Sequence, residues 1–193
     1  MKNTQYNPLY LITGVMAAGK STVAELLIQR FSKGVHLRGD VFRKMIVTGR
    51  EEMTAHPTAE ALRQLNLRYD LAAGVADTYQ AAGFTVVWQD VMIGRVLPEV
   101  IARIRSVPLF LIVLCPDPAI ITQREANRPK KGYGGGFTPD NFHRLLLTET
   151  PRTGLWIDSS QQTPAETVEE ILIRTGNGEG LIGNRDFFGG QKG

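Results

Sequence analysis

The sequence predicts an α/β protein in which one parallel sheet is covered by helices on both faces. Short apolar runs alternate along the chain with longer segments whose apolar residues recur at helical spacing. The short runs are apolar throughout, which favours strands that are buried on both sides. Strands that alternate with helices imply parallel pairing through right-handed crossovers. At 193 residues, the chain is long enough to form one domain with a sizeable core.

Each predicted element is bounded by local signals. The predicted strands are Leu9 to Thr13, Val35 to Leu37, Phe84 to Trp88, Leu109 to Leu114 and Leu155 to Ile157. The predicted helices are Ser21 to Phe31, Asp40 to Val47, Thr58 to Ala82, Pro98 to Ser106 and Thr163 to Ile173. Gly83 ends the third helix as a C-cap glycine would, and Thr163 with Glu166 forms a helix-start pattern. The inward face of the third helix is predicted to carry Leu62, Leu65, Tyr69, Ala72, Ala76 and Tyr79.

Composition indicates an ordinary globular domain and argues against several other classes. We expect one domain over residues 1–175 and a flexible, glycine-rich tail over residues 176–193, in which Phe187 and Phe188 could still dock. The net charge of +3 does not require a nucleic-acid partner. The single cysteine, Cys115, excludes an internal disulfide and is expected to be buried and unreactive. Because no apolar run is long enough to span a membrane and no signal segment is recognisable, we expect a cytoplasmic location.

The strongest chemical signal is the pattern G-x-x-x-x-G-K-S between the first strand and the first helix. Its glycines let successive N–H groups point into one concavity for phosphate oxygens, and the helix start adds its positive end. Lys20 is placed to reach the β- and γ-phosphates of a nucleoside triphosphate, and the Ser21 hydroxyl to ligate Mg²⁺. The alternative, a glycine-rich turn without a ligand, is disfavoured by the flanking strand and helix. The predicted nucleotide-binding residues are Gly14, Val15, Met16, Ala17, Ala18, Gly19, Lys20, Ser21 and Thr22.

Two carboxylates follow strands at the edge of the sheet where such a ligand would lie. Asp90 ends the third strand and is predicted to organise Mg²⁺ and to contact substrate, although an ordinary turn aspartate remains the alternative. Asp40 follows the second strand and is predicted to bind the acceptor and take a proton from its hydroxyl. Arg43, three residues later, is predicted to orient the acceptor or bind an anionic group on it. The alternative is a surface aspartate that caps a helix and pairs with Arg43.

A basic segment followed by glycines predicts a lid over residues 124–138. Arg124 and Arg128 are four residues apart and would share one face of a helix. The run Gly134 to Gly136 could act as a hinge that brings these arginines, with Lys130 and Lys131, onto the phosphoryl group. Both arginines are therefore predicted catalytic residues, together with Lys20 and Asp40. A solvated basic helix end is the alternative.

These motifs together resemble the P-loop kinases of nucleosides and small molecules over about Leu9 to Arg174. Within them the chain looks most like the chloramphenicol phosphotransferase-like group, and less like zeta toxins, adenylylsulfate kinases, gluconate kinases and polynucleotide 5′-kinases. The resemblance implies a five-stranded parallel sheet in the order 2-3-1-4-5, with ATP at its carboxyl edge. It also implies that Asp40 is the base, that Arg124 and Arg128 are the lid arginines, and that adenine packs near Pro164.

The resulting hypothesis is an ATP- and Mg²⁺-dependent phosphotransferase that acts on a hydroxyl of a small molecule, for which an antibiotic is one candidate. ATP is the default over GTP, and nothing in the sequence indicates the oligomeric state. A nucleotide or polynucleotide 5′-hydroxyl kinase is the nearest alternative, supported by Asp40, Arg43 and the pI of 9.1. A nucleotide-dependent binding switch is a third possibility. The absence of an N-K-x-D motif after Asp90 argues against it.

Overall fold

The computed structural model describes residues 7–129 and 132–183, and its centre is a parallel sheet of five strands that lie in the order 2-3-1-4-5. A sixth strand pairs antiparallel with the beginning of the fourth. The strands are β1 Leu9–Gly14, β2 Gly34–Arg38, β3 Thr85–Gln89, β4 Leu109–Leu114, β5 Leu155–Ile157 and β6 Leu181–Gly183. The fold class and strand order predicted from the sequence are therefore confirmed.

Seven helices surround this sheet within the described residues. They are α1 Lys20–Ile28, α2 Asp40–Met45, α3 Ala59–Ala81, α4 Val96–Ile101, α5 Pro118–Ala126, α6 Pro139–Glu149 and α7 Pro164–Gly176. Side-chain caps fix several of their starts, because a helix leaves its first N–H groups without partners. Thr58 caps α3 and Asp117 caps α5, whereas Thr138 and Thr163 each form a reciprocal capping box. None of the helices in this part of the chain is long and apolar enough to cross a membrane.

The core lies along both faces of the three central strands. Every residue of β1 and β3 is buried, as is nearly all of β4. Their runs of leucine, isoleucine and valine suit a strand that is covered on both sides by helices. Trp88 and Leu11 pair across β3 and β1, and neither side chain is exposed. Burial of this apolar surface is the main source of the sheet's stability.

The carboxyl ends of the parallel strands meet along one edge, and this arrangement positions the candidate site. Gly14 ends β1 and leads into the loop before α1. Arg38 ends β2 in register with Gln89 at the end of β3. Asp40 and Asp90, each only one or two residues further on, are thereby brought to the same edge. Such an edge is the usual location of ligand sites in open α/β sheets.

The structure differs from the sequence-based expectations at four places. Helix α6 was not predicted, and α4 ends at Ile101 rather than continuing to Ser106. Helix α7 runs to Gly176 and β6 joins the sheet, so the segment expected to be a flexible tail has regular structure near its start. The remainder of that segment, including Phe187 and Phe188, lies outside the described residues. On α3, Leu62 and Tyr79 are each 43% exposed rather than packed inward, and Leu62 lines an open cleft instead of the core.

We expect Thr163→Ala to destabilise the protein by about 1 kcal/mol, because it removes the hydroxyl that accepts a hydrogen bond from the Glu166 amide. Urea unfolding of the variant and the wild type measures this loss. Thr122→Ala is the matched control, since its hydroxyl donates within α5 to the Pro118 carbonyl and caps no free N–H group. Equal losses in the two variants would contradict a capping role for Thr163.

Candidate active site

The loop from Gly14 to Gly19 joins β1 to α1 and has a positive φ at three positions, two of which are glycine. Gly14 has φ of 142°, and a Cβ atom there would lie 2.4 Å from the Leu114 carbonyl oxygen. Gly19 has φ of 98° and immediately precedes α1. Ala17 also has a positive φ, of 62°, which costs a non-glycine residue about 1 kcal/mol. The strained loop therefore curls around the start of α1, as a phosphate-binding loop must.

Lys20, the first residue of α1, places its ammonium group at the floor of this loop. Its Nζ donates to the carbonyl oxygens of Gly14, at 2.9 Å, and Val15, at 2.8 Å. The residue is only 8% exposed. Burial lowers the pKa of Lys20 to about 8, with the Asp90 carboxylate opposing this shift and the Arg128 guanidinium adding to it. An anion placed in the loop would therefore relieve an unfavourable buried charge.

Asp90 lies directly after β3 and is held by a residue of α3. Its Oδ1 accepts hydrogen bonds from Arg68 Nη2 and from the Val91 amide, both at 2.7 Å. Its Oδ2 is buried and has no hydrogen-bond partner among the described residues. Burial raises the pKa of Asp90, while Arg68, the Val91 amide and Lys20 oppose this shift. A cation in the cleft would stabilise the charged form of this carboxylate.

Asp40 and Arg43 are joined in a second charged group on α2. Arg43 Nε donates to Asp40 Oδ1 at 2.9 Å, and Lys44 Nζ lies 3.2 Å from Asp40 Oδ2. Arg43 also binds both carboxylate oxygens of Glu52 through Nη1. Gly39 holds the N-cap position of α2 and Asp40 is the first helical residue, so the pairing with Arg43 that the surface alternative includes is present, and the role of Asp40 stays a prediction.

Arg124 and Arg128 differ from their predicted arrangement. Helix α5 ends at Ala126, so Arg128 lies beyond the helix and the two arginines do not share a helix face. Arg124 reaches towards the glycine loop, donating to the Ser159 carbonyl at 2.9 Å and, more weakly, to the Ala18 carbonyl at 3.4 Å. Burial lowers the pKa of Arg124. Its guanidinium therefore links the loop to the chain after β5.

The chain after α5 is fastened by Glu125. Its side chain is largely buried, accepts from the amides of Gly132 and Tyr133, and pairs with Arg128 at 3.1 Å. The Tyr133 hydroxyl donates to the Met16 carbonyl at 2.8 Å, which ties this segment to the glycine loop. Lys130 and Lys131, which were predicted to contribute positive charge here, lie outside the described residues.

Most of these groups border one cleft of about 1130 Å³ at the carboxyl edge of the sheet. Gly14 and Val15 do not line the cleft, but their carbonyls accept the hydrogen bonds that hold Lys20, which does. The structure thus brings together residues from five separate parts of the chain; their individual roles remain predictions. The sequence-predicted residues that line the cleft are Met16, Ala17, Ala18, Gly19, Lys20, Ser21, Thr22, Asp40, Arg43, Asp90, Arg124 and Arg128.

Four side chains at the site were not identified from the sequence: Arg68, Glu125, Glu52 and Tyr133. Arg68 precedes Asp90 by 22 residues, so no local sequence pattern joins the two. Glu125 lies between the two predicted arginines and could have been noticed as their neighbour. The other two lie in irregular segments, where sequence periodicity gives no signal.

A magnesium site, if present, would draw on few protein ligands. No cluster of three or more His, Cys, Asp or Glu side chains suited to a metal occurs in residues 7–129 and 132–183. Mg²⁺ bound with a nucleotide needs only one or two protein oxygens, because phosphates and water supply the others. The Ser21 hydroxyl and the Asp90 carboxylate line the same cleft and fit that requirement.

Cys115 is half-buried, and burial raises the pKa of its thiol.

Comparison with known proteins gives a family and a fold. The family model described as the AAA domain matches residues 9–143, whereas no curated protein sequence matches significantly. A sugar kinase from a Janibacter species is 17% identical, with a TM-score of 0.64, over 86% of this chain and 93% of its own. The tunicamycin resistance protein of Deinococcus radiodurans is 15% identical, with a TM-score of 0.63, over 92% and 99%. The Mycobacterium tuberculosis APS kinase, solved with AMPPNP and APS, is 14% identical, with a TM-score of 0.60, over 89% and 98%.

The depressed pKa of Lys20 predicts a specific dependence of stability on pH. Between about pH 8 and the ordinary lysine value of 10.5, the unfolded chain binds more protons than the folded protein, so stability rises with pH in that window. Below about pH 8, Lys20 is charged in both states and the full cost of burying it is present. Lys20→Met should lack this component, whereas Lys33→Met, at an exposed position, should retain it. Urea unfolding at several pH values tests this, and parallel curves for wild type and Lys20→Met would refute it.

Proposed function

Since the chain belongs to the AAA domain family and has the fold of P-loop kinases, we propose that it is an ATP-dependent phosphotransferase. It would move the γ-phosphoryl group to a hydroxyl of a small molecule. One observation carries the proposal: the buried ammonium of Lys20 lies in a glycine loop that shares its cleft with Asp40 and Asp90. A buried cation at a helix start suits phosphate, and the two carboxylates suit the metal and the acceptor.

The nucleotide would bind in the half of the cleft next to α1 and α7. Amide groups of the glycine loop and the start of α1 would hold the phosphates, and Lys20 would exchange its two carbonyl partners for phosphate oxygens. The same half contains Arg124, Gln162 and Pro164. The Arg124 guanidinium and the Pro164 ring offer flat surfaces on which the nucleotide base could stack. Such surfaces suit the adenine of ATP, and they would also accept the guanine of GTP.

Magnesium would be held by Ser21 and Asp90 together with the phosphates. When bound, it would neutralise phosphate charge and so favour transfer. The buried, unpartnered Oδ2 of Asp90 is the observation that supports a cation here. Two parts of the chain would assist the metal. Arg128 would add positive charge near Lys20, and the segment carrying Tyr133 would cover the glycine loop.

Asp40 would position the acceptor and receive its proton. The acceptor oxygen would form a bond to the γ-phosphorus while the bond from phosphorus to the β,γ-bridging oxygen breaks and ADP leaves. The hydroxyl proton would pass to the Asp40 carboxylate, which Arg43 and Lys44 keep oriented. Because the proposed activity consumes ATP, we place it in the cytoplasm. The likeness in fold to a tunicamycin resistance protein keeps an antibiotic among the candidate acceptors.

Lys20→Ala tests the nucleotide site directly. We expect ATP·Mg²⁺ affinity and phosphoryl transfer to fall by at least about 100-fold, because the cation that faces the phosphates is lost. Calorimetry measures the affinity, and ADP release with an acceptor mixture measures turnover. Lys33→Ala, an exposed lysine remote from the cleft, should behave as the wild type. Unchanged ATP affinity in Lys20→Ala would overturn the nucleotide site, and wild-type ATP binding without transfer to any acceptor would favour a binding switch.

Asp40→Asn should lower turnover by about 10²–10⁴-fold, the usual effect of losing a general base. ATP affinity should change little, because Lys20 and the loop amides are untouched by the substitution. Measuring both quantities on one sample separates this role from a role in holding the metal, for which affinity and turnover would fall together. Asp140→Asn, an exposed carboxylate in the first turn of α6, is the control. Near-normal turnover in Asp40→Asn would remove Asp40 from the mechanism.

A further inference from the structure

Glu125, in the last turn of α5, is a buried carboxylate that the proposed transfer step does not use. It is only 9% exposed and lies between Arg124 and Arg128 in the sequence. Its side chain accepts hydrogen bonds from the amide of Gly132 and, at 3.3 Å, from the amide of Tyr133. It also pairs with Arg128 at 3.1 Å. A buried carboxylate without such partners would be costly, so these contacts hold the chain that follows α5 at a definite place.

Tyr133 extends this contact to the glycine loop. Its hydroxyl donates to the Met16 carbonyl at 2.8 Å. Burial raises the pKa of Tyr133, and the Glu125 carboxylate adds to this shift, so the hydroxyl keeps the proton that it donates. The two segments are also closely packed, since a Cβ atom on Gly132 would lie 3.1 Å from the Cβ atom of Met16. The glycine loop is therefore held at Met16 by the segment that Glu125 fixes.

The bond to the Met16 carbonyl also bears on the amide of Ala17, because both groups belong to one planar peptide unit. In a trans peptide the C=O and N–H bonds point in opposite directions, so the Tyr133 hydroxyl fixes the direction of the Ala17 N–H group. This amide donates to no acceptor among the described residues. The positive φ of Ala17 is a conformation that persists only where neighbouring groups hold it. A free N–H group in such a loop is suited to a phosphate oxygen.

We infer that Glu125 and Tyr133 are positioning residues of the nucleotide site. Glu125 would fix the segment that carries Tyr133, and Tyr133 would hold the peptide between Met16 and Ala17 in the orientation that binds phosphate. Through its ion pair, Glu125 would also place Arg128 at the loop end of the cleft. Holding these groups in place lowers the cost of ordering them when the nucleotide binds. This inference rests on the proposed function, and both residues act through others rather than on the reacting atoms.

Tyr133→Phe removes the hydroxyl and keeps the ring. We expect it to lower the affinity of the full-length protein for Mg²⁺·AMPPNP by about 3- to 10-fold, the effect of one lost hydrogen bond. Calorimetry measures the affinity. In NMR spectra, the downfield shift of the Ala17 amide proton on AMPPNP binding should be smaller than in the wild type, because the direction of its N–H group is no longer fixed. Tyr79→Phe, an exposed position on α3 outside the cleft, is the control and should behave as the wild type.

A double-mutant cycle tests whether Glu125 acts through Tyr133. Glu125→Ala should lower AMPPNP affinity at least about tenfold, because two amides and Arg128 lose a partner. In that background, adding Tyr133→Phe should cost less than about twofold, since coupled residues are not additive. Glu125→Gln keeps an oxygen for the two amides and should retain more affinity than Glu125→Ala. Glu99→Gln, an exposed carboxylate on α4, is the control and should match the wild type.

Unchanged AMPPNP affinity in Tyr133→Phe, an Ala17 shift equal to that of the wild type, or additive effects of the two substitutions would overturn the inference. Urea unfolding is measured on every variant, and a less stable Glu125→Ala protein with wild-type affinity would overturn it too. Lys20→Ala is titrated in parallel. Wild-type affinity in Lys20→Ala would refute the proposed function, whereas a loss in Lys20→Ala with none in Tyr133→Phe would refute only the positioning role.

Discussion

The site depends on keeping the ammonium group of Lys20 charged where little water reaches it. Two backbone carbonyls compensate the charge in part, but they are dipoles rather than anions, and burial still depresses the pKa to about 8. Binding of a multiply charged anion to such an ammonium group is strongly favourable, because the free-energy cost of removing water from the ammonium has already been met during folding. The buried strands β1, β3 and β4 hold the loop in this unfavourable arrangement. The stability of the core thus offsets the cost of the site.

A second constraint joins the two carboxylates that would act on opposite sides of the transferred group. A Cβ atom on Gly39 would lie 1.8 Å from Asp90 Oδ2, so the end of β2 can approach the end of β3 only if this residue is glycine. Its backbone φ is ordinary, and close packing rather than strain accounts for the glycine. Since Asp40 follows Gly39 directly, the position of one carboxylate is coupled to the other through this contact. Arg68, bound to Asp90, extends the coupling to α3.

Much of the fold could be predicted from the sequence because each buried strand is a continuous apolar run and because the glycine loop has a specific pattern. What the sequence did not reveal has identifiable physical causes. Helix α6 begins with the same kind of capping box as α7, at Thr138 and Asn141, but it follows a glycine-rich stretch that suggested only a loop. The exposure of Leu62 depends on the position of the cleft that this residue lines, which helical spacing does not specify. The pairing of Arg68 with Asp90 arises only once the chain has folded.

The cleft also bears on how the proposed phosphotransferase would avoid transferring phosphate to water. Water is always present as a competing acceptor, so the second substrate must displace it from the region next to the phosphoryl group. Apolar walls make water there easy to displace, and the segment held by Glu125 already reaches the glycine loop through Tyr133 and Met16. The same segment contacts the chain between α2 and α3, where the Ala55 amide donates to the Gly135 carbonyl at 2.9 Å. A single stretch of chain therefore contacts both the glycine loop and the chain between α2 and α3, so that, in the proposed function, ordering of this stretch by one substrate would alter the affinity for the other.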